Sequence, residues 1–142
     1  MKRQRSQKGA ALIEFALVAL QMMVLLLSLL EFARMVLVTT SVANAARTGV
    51  RYAIVHGSTR TGSGVDGPSG PSSYANVQNN VRYYAGAGLL DPGRLNVLVN
   101  YVDGNNNVGS RVKVTLVYPY DPFVALPLRV NLSSTSQGVI TF

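Results

Sequence analysis

The stretch that decides the fold is Lys8-Gly9-Ala10-Ala11-Leu12-Ile13-Glu14-Phe15, together with the apolar run that it opens. From Phe15 to Leu30 no side chain is charged, and Gln21 and Ser28 are the only clearly polar ones. As a helix, residues 10–30 would be about 31 Å long, which matches the roughly 30 Å hydrocarbon core of a bilayer. The run therefore predicts a transmembrane helix.

A short basic flank precedes the run and predicts a cytoplasmic N-terminus under the positive-inside rule. Its basic residues are Lys2, Arg3, Arg5 and Lys8. Removing these four from the 13 Lys and Arg leaves nine against six Asp and Glu, so the net charge of +7 is largely a property of the flank. No nucleic-acid partner is expected, because no Lys/Arg stripe interleaved with aromatic residues follows. The alternative, a secretory signal peptide, fits poorly, since the run is long and no small-residue cleavage site closes it.

The helical pattern continues beyond the predicted span. Small apolar residues recur every three to four positions at Val38, Val42, Ala45, Ala46, Gly49 and Ala53. Polar residues fall on another face at Thr40, Asn44, Arg47, Thr48 and Arg51. We predict one helix from about Ala11 to about Val55, with an Ala/Gly face that permits close packing.

Two pairs of charges lie on this extension. Glu31 and Arg34 are three residues apart just past the span, where they can pair on the helix surface. Arg47 and Arg51 are one turn apart and either bind an acidic partner or simply form a solvated face. We favour the solvated face, because like charges on one helix face are usually exposed.

The remaining residues predict a small α+β head. Gly57–Ser73 is expected to be a flexible, exposed loop. A second helix would be capped by Ser72 or Ser73 and end at Gly86 or Gly88. Its apolar stripe would be Tyr74, Val77, Val81, Tyr84 and Ala85.

Alternation of period two predicts strands after this helix. One inward face is Leu95, Val97, Val99 and Tyr101, and a second is Val112, Val114, Leu116 and Tyr118, with the hairpin loop Asp103–Gly109 between them. Prolines should interrupt the chain at Pro119, Pro122 and Pro127. A third alternation covers Leu128 to Ser133, and a short last strand is expected at Gln137–Phe142. The predicted fold class is α+β: a long N-terminal helix, membrane-spanning in its first half, and a second helix on an antiparallel sheet of about four strands.

The sequence offers no catalytic set. It has no cysteine, so disulfides, Cys-based zinc sites and thiol nucleophiles are excluded. His56 is the only histidine, and we expect a surface or capping role for it. The spacing Asp103, Asn105, Asn107 begins like a calcium loop but then fails, because Val108 and Val114 stand where a Gly and an acid are needed. No enzyme, metal or cofactor is predicted.

Glu14 is the unusual residue of the span. An unpaired carboxylate at the bilayer centre costs about 2.5–3.5 kcal/mol or more. Either Glu14 reaches back toward Lys8 or Arg5 at the interface, or a cation pairs with it. If the chain is cut after Gly9, the new amino group of Ala10 in a neighbouring subunit could be that cation, and the pair would set the axial register.

These residues carry a resemblance to a known family. A basic leader, a Gly, four small or apolar residues and Glu-Phe ahead of an apolar helix resemble the type IV prepilin processing site. Further along, the chain is similar to the TadE-like pseudopilins of the tight-adherence (Tad/Flp) pilus. The segments that carry this likeness are Gly9–Val18, Glu31–Arg34, Ala43–Ala53, Val112–Val114 and Tyr118-Pro119-Tyr120.

The resemblance implies a pilin-like fold and a minor pilin that a prepilin peptidase cuts between Gly9 and Ala10. Glu14 and Phe15 would then serve register and assembly. Other pilins or pseudopilins, Tad inner-membrane assembly proteins and the lipid bilayer would be its partners. It would cross the bacterial inner membrane once, with a periplasmic or extracellular head, and act in adherence, biofilm formation or related secretion.

The implied organisation is a leader (1–9), a transmembrane helix (10–30), its extracytoplasmic extension (31–56), a flexible loop (57–73) and a head (74–142). The main alternative is an uncleaved single-pass protein whose head binds a ligand or partner. That alternative gives Gly9 and Glu14 no role. A soluble enzyme is disfavoured by the apolar span and the missing site.

Overall fold

A computed structural model describes residues 3–88, 90–123 and 130–142, with side chains from Gly9 onward. The first element is one long helix, α1 (Arg3–Val55). Its end at Val55 is as predicted, but it begins at Arg3 rather than near Ala11, so Gly9 and Ala10 lie inside the helix. The earlier start follows from the leader itself, which contains neither Pro nor a Gly before Gly9 to stop the helix.

The outer half of α1 carries the predicted buried stripe. The predicted members Val38, Val42, Ala45, Ala46 and Ala53 are 7% exposed or less, and Gly49 is buried as well. Val50, which the predicted stripe did not include, is also buried. Thr40, Asn44, Arg47 and Arg51 are exposed, as expected of the opposite face. Residues 9–30 are exposed all round, so one helix has a bare half and a packed half.

The second helix, α2 (Ala75–Ala87), packs on the outer half of α1 and beside the first strand. The helices approach closely at Gly49, where an added Cβ would lie 2.4 Å from Val81 Cγ2. Gly88 is the C-cap residue, one of the two predicted ends. The predicted serine cap is wrong: the N-cap residue is Tyr74, with no side-chain cap bond. The serines cannot cap because the Gly70–Ser73 backbone bridge holds that segment in a tight turn.

The apolar stripe of α2 is narrower than predicted. Val77, Val81 and Ala85 are buried, whereas Tyr74 and Tyr84 are 37% and 51% exposed. The reason is that small α1 side chains allow only a narrow seam between the helices, and two large tyrosine rings fall outside it.

Three antiparallel strands form the described sheet, β1 (Asn96–Tyr101), β2 (Arg111–Tyr120) and β3 (Val130–Val139), in the order β1-β2-β3. The inward faces of β1 and β2 are the predicted ones. The expected count of about four strands is wrong for the described residues, because the last two predicted strands form a single continuous strand, β3. Serines 133, 134 and 136 keep pairing with β2, since backbone bonds continue through a polar edge strand.

The expected break at Pro119 is also wrong, because β2 continues to Tyr120. β1 pairs with β2 only as far as Val117, so beyond it β2 has a neighbour on one side alone. A proline is tolerated there because the strand is locally an edge. The predictions for Pro127, Leu128 and Arg129 lie outside the described residues.

The long loop before α2 is not wholly exposed as predicted. Gly57, Gly67, Ser69 and Gly70 are buried, and a 3₁₀ turn forms at Gly64–Asp66. The backbone N–H of Ser69 donates to the carbonyl of His56 at 2.7 Å. Backbone bonding of this kind draws a polar, glycine-rich segment onto the head because buried peptide groups need partners.

Candidate functional site: the bare helix and its junction with the head

The bare half of α1 is the largest exposed apolar surface among the described residues. Leu12, Phe15 and Leu30 are 70%, 72% and 68% exposed, and the helix reaches a mean hydropathy of 2.4 in its most apolar window. This helix is long and apolar enough to cross a membrane. A surface of this size requires a lipid or protein partner.

The predicted processing residues lie near the start of that surface. Gly9 and Ala10 are exposed and helical, and a Cβ added at Gly9 would meet nothing within 4 Å. The surroundings of Gly9 therefore do not require a glycine in the folded chain. The side chains of Lys2, Arg3, Arg5 and Lys8 lie outside the described residues.

Glu14 is the only charged side chain in the described stretch from Gly9 to Leu30. It is exposed, as is Phe15 beside it. No described side chain forms a hydrogen bond or ion pair with the Glu14 carboxylate. A cation that pairs with this carboxylate therefore does not come from the side chains that the structure describes.

Glu31 ends the bare half, and its carboxylate joins the helix to the head. The Tyr120 hydroxyl donates to Glu31 Oε1, and the backbone N–H of Phe123 donates to Oε2 at 3.1 Å. Arg34 Nη1 lies 3.8 Å from Oε1 on the next turn of the helix. The sequence predicted only the Arg34 pair. The two donors from the head create a junction between α1 and the head, in which the Glu31 side chain is only 16% exposed.

Further contacts made by arginine side chains surround this junction. Arg34 Nη1 donates to the carbonyl of Asp121 at 3.3 Å, and its guanidinium lies 5.2 Å from the centroid of the Tyr120 ring. Arg94 bonds the Asp121 carboxylate at 2.6 Å and the carbonyl of Pro119 at 3.2 Å. Arg34 therefore ties the end of β2 to α1, and Arg94 ties it to the turn before β1.

The pKa of the Tyr120 hydroxyl is raised above its usual value, first because the ring is buried and then because it donates to the Glu31 carboxylate. A neutral phenol is the form that can donate this bond. Tyr120 therefore remains a donor to Glu31 at neutral pH.

Sequence reasoning missed four members of the junction: Arg94, Tyr120 as a partner of Glu31, Asp121 and Phe123. They lie 63 to 92 residues beyond Glu31 in sequence, so no helical spacing links them to it. The one available signal was Tyr120, which follows Tyr118-Pro119 and had no role in the predicted sheet.

The other candidates have structural roles. His56 is 7% exposed rather than on the surface, and its ring stacks on Tyr52 at 3.9 Å between centroids. Its Nδ1 bonds the Tyr52 carbonyl at 2.8 Å in the last turn of α1, which is the predicted capping role. The predicted turn at Asp103–Asn107 bonds within itself and to β2: Asp103 accepts from Arg111, and Asn105 Oδ1 accepts from the Asn107 N–H at 3.0 Å. No group of three metal-ligating side chains was found among the described residues.

The pKa of Asp103 is lowered, first by the hydrogen bond from the Arg111 side chain and then by the one from its backbone. This carboxylate is therefore charged at neutral pH and committed to the Arg111 side chain. The turn is thus stabilised by its own hydrogen bonds and by Arg111, as expected of a structural hairpin loop.

The fold and the bare helix define a class: a pilin-like α+β protein with a single apolar N-terminal helix that carries a small head. Within this class, the sequence model of the TadE-like protein family matches residues 9–51. This match confirms the TadE-like resemblance, and its span covers Glu14, Glu31, Arg34 and most of the buried stripe of α1. No curated protein and no solved structure matches the chain.

The match suggests a protein associated with Tad pili. Together with the apolar helix, it indicates a single-pass membrane anchor. The matched segment lies entirely within α1, so the family match rests on this helix and not on the second helix or the sheet.

Proposed function

We propose that this protein is a TadE-like minor pilin that a prepilin peptidase cuts between Gly9 and Ala10 and that then takes part in assembly of a Tad-type pilus. The observation that carries the proposal is a helix with an entirely exposed apolar half and one acid in it, Glu14. A protein made only to be anchored needs no carboxylate at that depth, because the charge costs insertion free energy.

Cleavage after Gly9 would supply the missing cation. The new amino group of Ala10 stands one helical turn before Glu14, so a neighbour displaced by about one turn, roughly 6 Å, could bring its amine to the carboxylate. Pairing removes the cost of both charges and favours one axial register over others. Phe15 would add apolar contact at the same level.

Gly9 is suited to processing because a peptidase must open the helix locally around the bond that it cuts. Glycine destabilises a helix interior by about 0.5–1 kcal/mol relative to alanine, which eases this opening. Residues 1–9 would then be the leader, 10–30 the span, 31–56 its extracytoplasmic extension, 57–73 the loop and 74–142 the head.

The proposed setting is the bacterial inner membrane, with the basic leader in the cytoplasm and the head outside it. The partners would be a prepilin peptidase, other pilins or pseudopilins, Tad inner-membrane assembly proteins and the bilayer. The pilus would serve adherence and biofilm formation, or a related secretion process. No cofactor is needed for any of these roles.

N-terminal sequencing of the protein from producing cells tests the cleavage. The expected mature chain begins at Ala10. A Gly9→Ser variant should remain full-length in the membrane, whereas the control Ala16→Ser, which places the same hydroxyl further along the helix, should be cut normally. A wild-type chain that still begins at Met1 would instead support the uncleaved single-pass protein with a binding head.

Piliation of a Glu14→Ala strain tests the pairing. The variant should be cut but should assemble poorly, because the partner of the Ala10 amine is gone. Ser28→Ala is the matched control: Ser28 Oγ already donates to the carbonyl of Val24 at 2.8 Å within the helix, so its loss should not affect assembly. Normal piliation with Glu14→Ala would mean that Glu14 only reaches the interface.

A further inference from the structure

Phe123 is the most exposed large apolar side chain among the described residues, at 85%. It does not stand alone, because it lines an apolar groove of about 220 Å³ together with Leu27, Leu30, Glu31 and Arg34. Leu27 and Leu30 belong to the last turns of the bare half of α1. Phe123 thus extends the exposed apolar surface of α1 onto the head.

A backbone hydrogen bond fixes the height of Phe123 along the helix. Its backbone N–H donates to Glu31 Oε2 at 3.1 Å, and Tyr120, three residues earlier, donates to the other oxygen of the same carboxylate. From Leu27 to Glu31 the helix rises by about 6 Å. The Phe123 ring therefore lies level with the end of the apolar run.

We infer that the head touches the lipid bilayer directly, with Phe123 inserted at the boundary between acyl chains and headgroups. Interfacial membrane segments bury Phe and Leu side chains at this boundary, and exposed apolar patches mark a partner surface. The occupant of the groove is lipid because Leu27 and Leu30 lie within the span that lipid surrounds.

The charges above the groove suit a membrane surface. Arg34 and Arg94 have side chains 48% and 40% exposed, and they lie on the head side of Glu31. Long basic side chains with apolar stems are well placed at the level of lipid phosphates. The head would be seated on the membrane by its β2 end, and α1 would not act as a free stalk. This inference needs the span but neither the cleavage nor the pilus.

The chain has no tryptophan, so a single substitution makes a depth reporter. Phe123→Trp would be placed in the full-length chain and reconstituted in nanodiscs that contain lipids brominated near the headgroup end of the acyl chains. Leu30→Trp is the reference within the span. Val65→Trp is the control on the head: Val65 is 67% exposed and its carbonyl accepts from Tyr52, about 33 Å along the helix from Leu30.

The expected result is a loss of emission for Phe123→Trp comparable to that for Leu30→Trp, with an emission maximum to the blue of the Val65→Trp control. Quenching no greater than that of Val65→Trp would overturn the inference, including the case in which another protein copy covers Phe123. Because Phe123 is exposed and packs against little, the substitution should leave the thermal unfolding of the head unchanged.

A second variant tests the role of Glu31. Adding Tyr120→Phe to the Phe123→Trp chain removes one of the two head donors to the carboxylate, and it should reduce the quenching. Adding Tyr83→Phe is the control, since Tyr83 is 76% exposed and lies on α2 away from the junction. Equal quenching in both double variants would mean that the Tyr120 bond to Glu31 does not set the height of Phe123.

Discussion

The two halves of α1 form one helix in two different surroundings. Between Gly9 and Leu30 every residue is exposed, and the side chains are mostly Leu, Val, Met and Ala. Between Val38 and Ala53 the buried face is Val, Ala and Gly, and it lies against α2, β2 and β3. The helical backbone does not change between the halves; only the partner of its apolar surface does.

The comparison shows that side-chain size distinguishes the two partners better than hydrophobicity does. Lipid is fluid and conforms to large, irregular side chains, so the bare half of α1 can be rich in leucine. The head is close-packed and rigid, so its approach to the helix depends on small residues such as Gly49 and Ala46. A change of volume should therefore matter greatly in one half and little in the other.

The largest expected effect is in the core against which the outer half packs. Leu116 is fully buried on β2, so Leu116→Ala should lower the free energy of unfolding of the head by about 2–5 kcal/mol. Leu20→Ala, at a position 63% exposed, should leave it nearly unchanged. Urea unfolding in detergent micelles, followed by tyrosine fluorescence, measures both. Similar losses of unfolding free energy for the two variants would mean that the bare half of α1 belongs to the same core.

The next effect reverses the change of volume. Gly49→Val would place its Cβ 2.4 Å from Val81 Cγ2 and 3.3 Å from Val114 Cγ1, so the overpacked seam should cost about 1–3 kcal/mol. The control Ala19→Val adds the same kind of side chain on the bare half, where no head residue is near. Thermal unfolding by circular dichroism should separate them, and a Gly49→Val protein as stable as the control would refute the close approach.

A smaller effect is expected at the junction between the halves. Tyr120→Phe removes a hydrogen bond to the Glu31 carboxylate, and such bonds are worth about 1.5–3 kcal/mol. We expect the lower end of this range, because Arg34 still pairs with Glu31. Denaturant unfolding of the full chain at pH 7 measures the loss; a variant with wild-type stability would mean that the head does not depend on this bond.

The same variant makes a prediction for high pH. The Tyr120 pKa is raised in the folded protein, so this tyrosine contributes stability below its ordinary value of 10.0 and loses it as the pH rises through the folded value. The difference in melting temperature between wild type and Tyr120→Phe should therefore shrink above pH 10. A difference that stays constant would show that Tyr120 does not titrate with this linkage.

The smallest effect is expected at the Asp103 turn, which is exposed. The pKa of Asp103 is lowered by Arg111, so its contribution is present above the ordinary value of 3.8 and is lost as the pH falls through the lowered value. Asp103→Asn should flatten the low-pH end of the melting-temperature profile slightly, while Asp91→Asn, which accepts only within its own turn, serves as the control. An identical profile for wild type and Asp103→Asn would mean that the Asp103–Arg111 pair does not contribute to the acid sensitivity of the fold.

Local patterns predicted much of this fold because they depend on near neighbours. The stripe from Val38 to Ala53 and the alternation from Val112 to Tyr118 repeat at fixed spacing, and each was found buried on the predicted side. The serine-rich part of β3 was missed because it has no apolar alternation. It is a strand because β2 supplies backbone partners, for example Leu116 opposite Ser134.

The errors at Pro119 and at the α2 cap have the same origin. Pro119 was expected to end a strand, but its effect depends on where β1 stops pairing, which is a property of the sheet and not of the proline. Ser72 and Ser73 are suitable caps by residue type, yet a backbone bridge to Gly70 engages that turn. In each case a distant or neighbouring backbone decided what the residue does.

The sequence by itself determined the long helix, its apolar half, the lone acid Glu14 and the α+β character of the head, since composition and periodicity act over one or a few turns. Only the tertiary structure decided what Glu31 contacts. Its carboxylate meets Tyr120 and the Phe123 backbone about 90 residues further along the chain, because the β2 end folds back onto α1. The opening stretch thus specifies a membrane helix, while the seating of the head on it depends on contacts that no local pattern records.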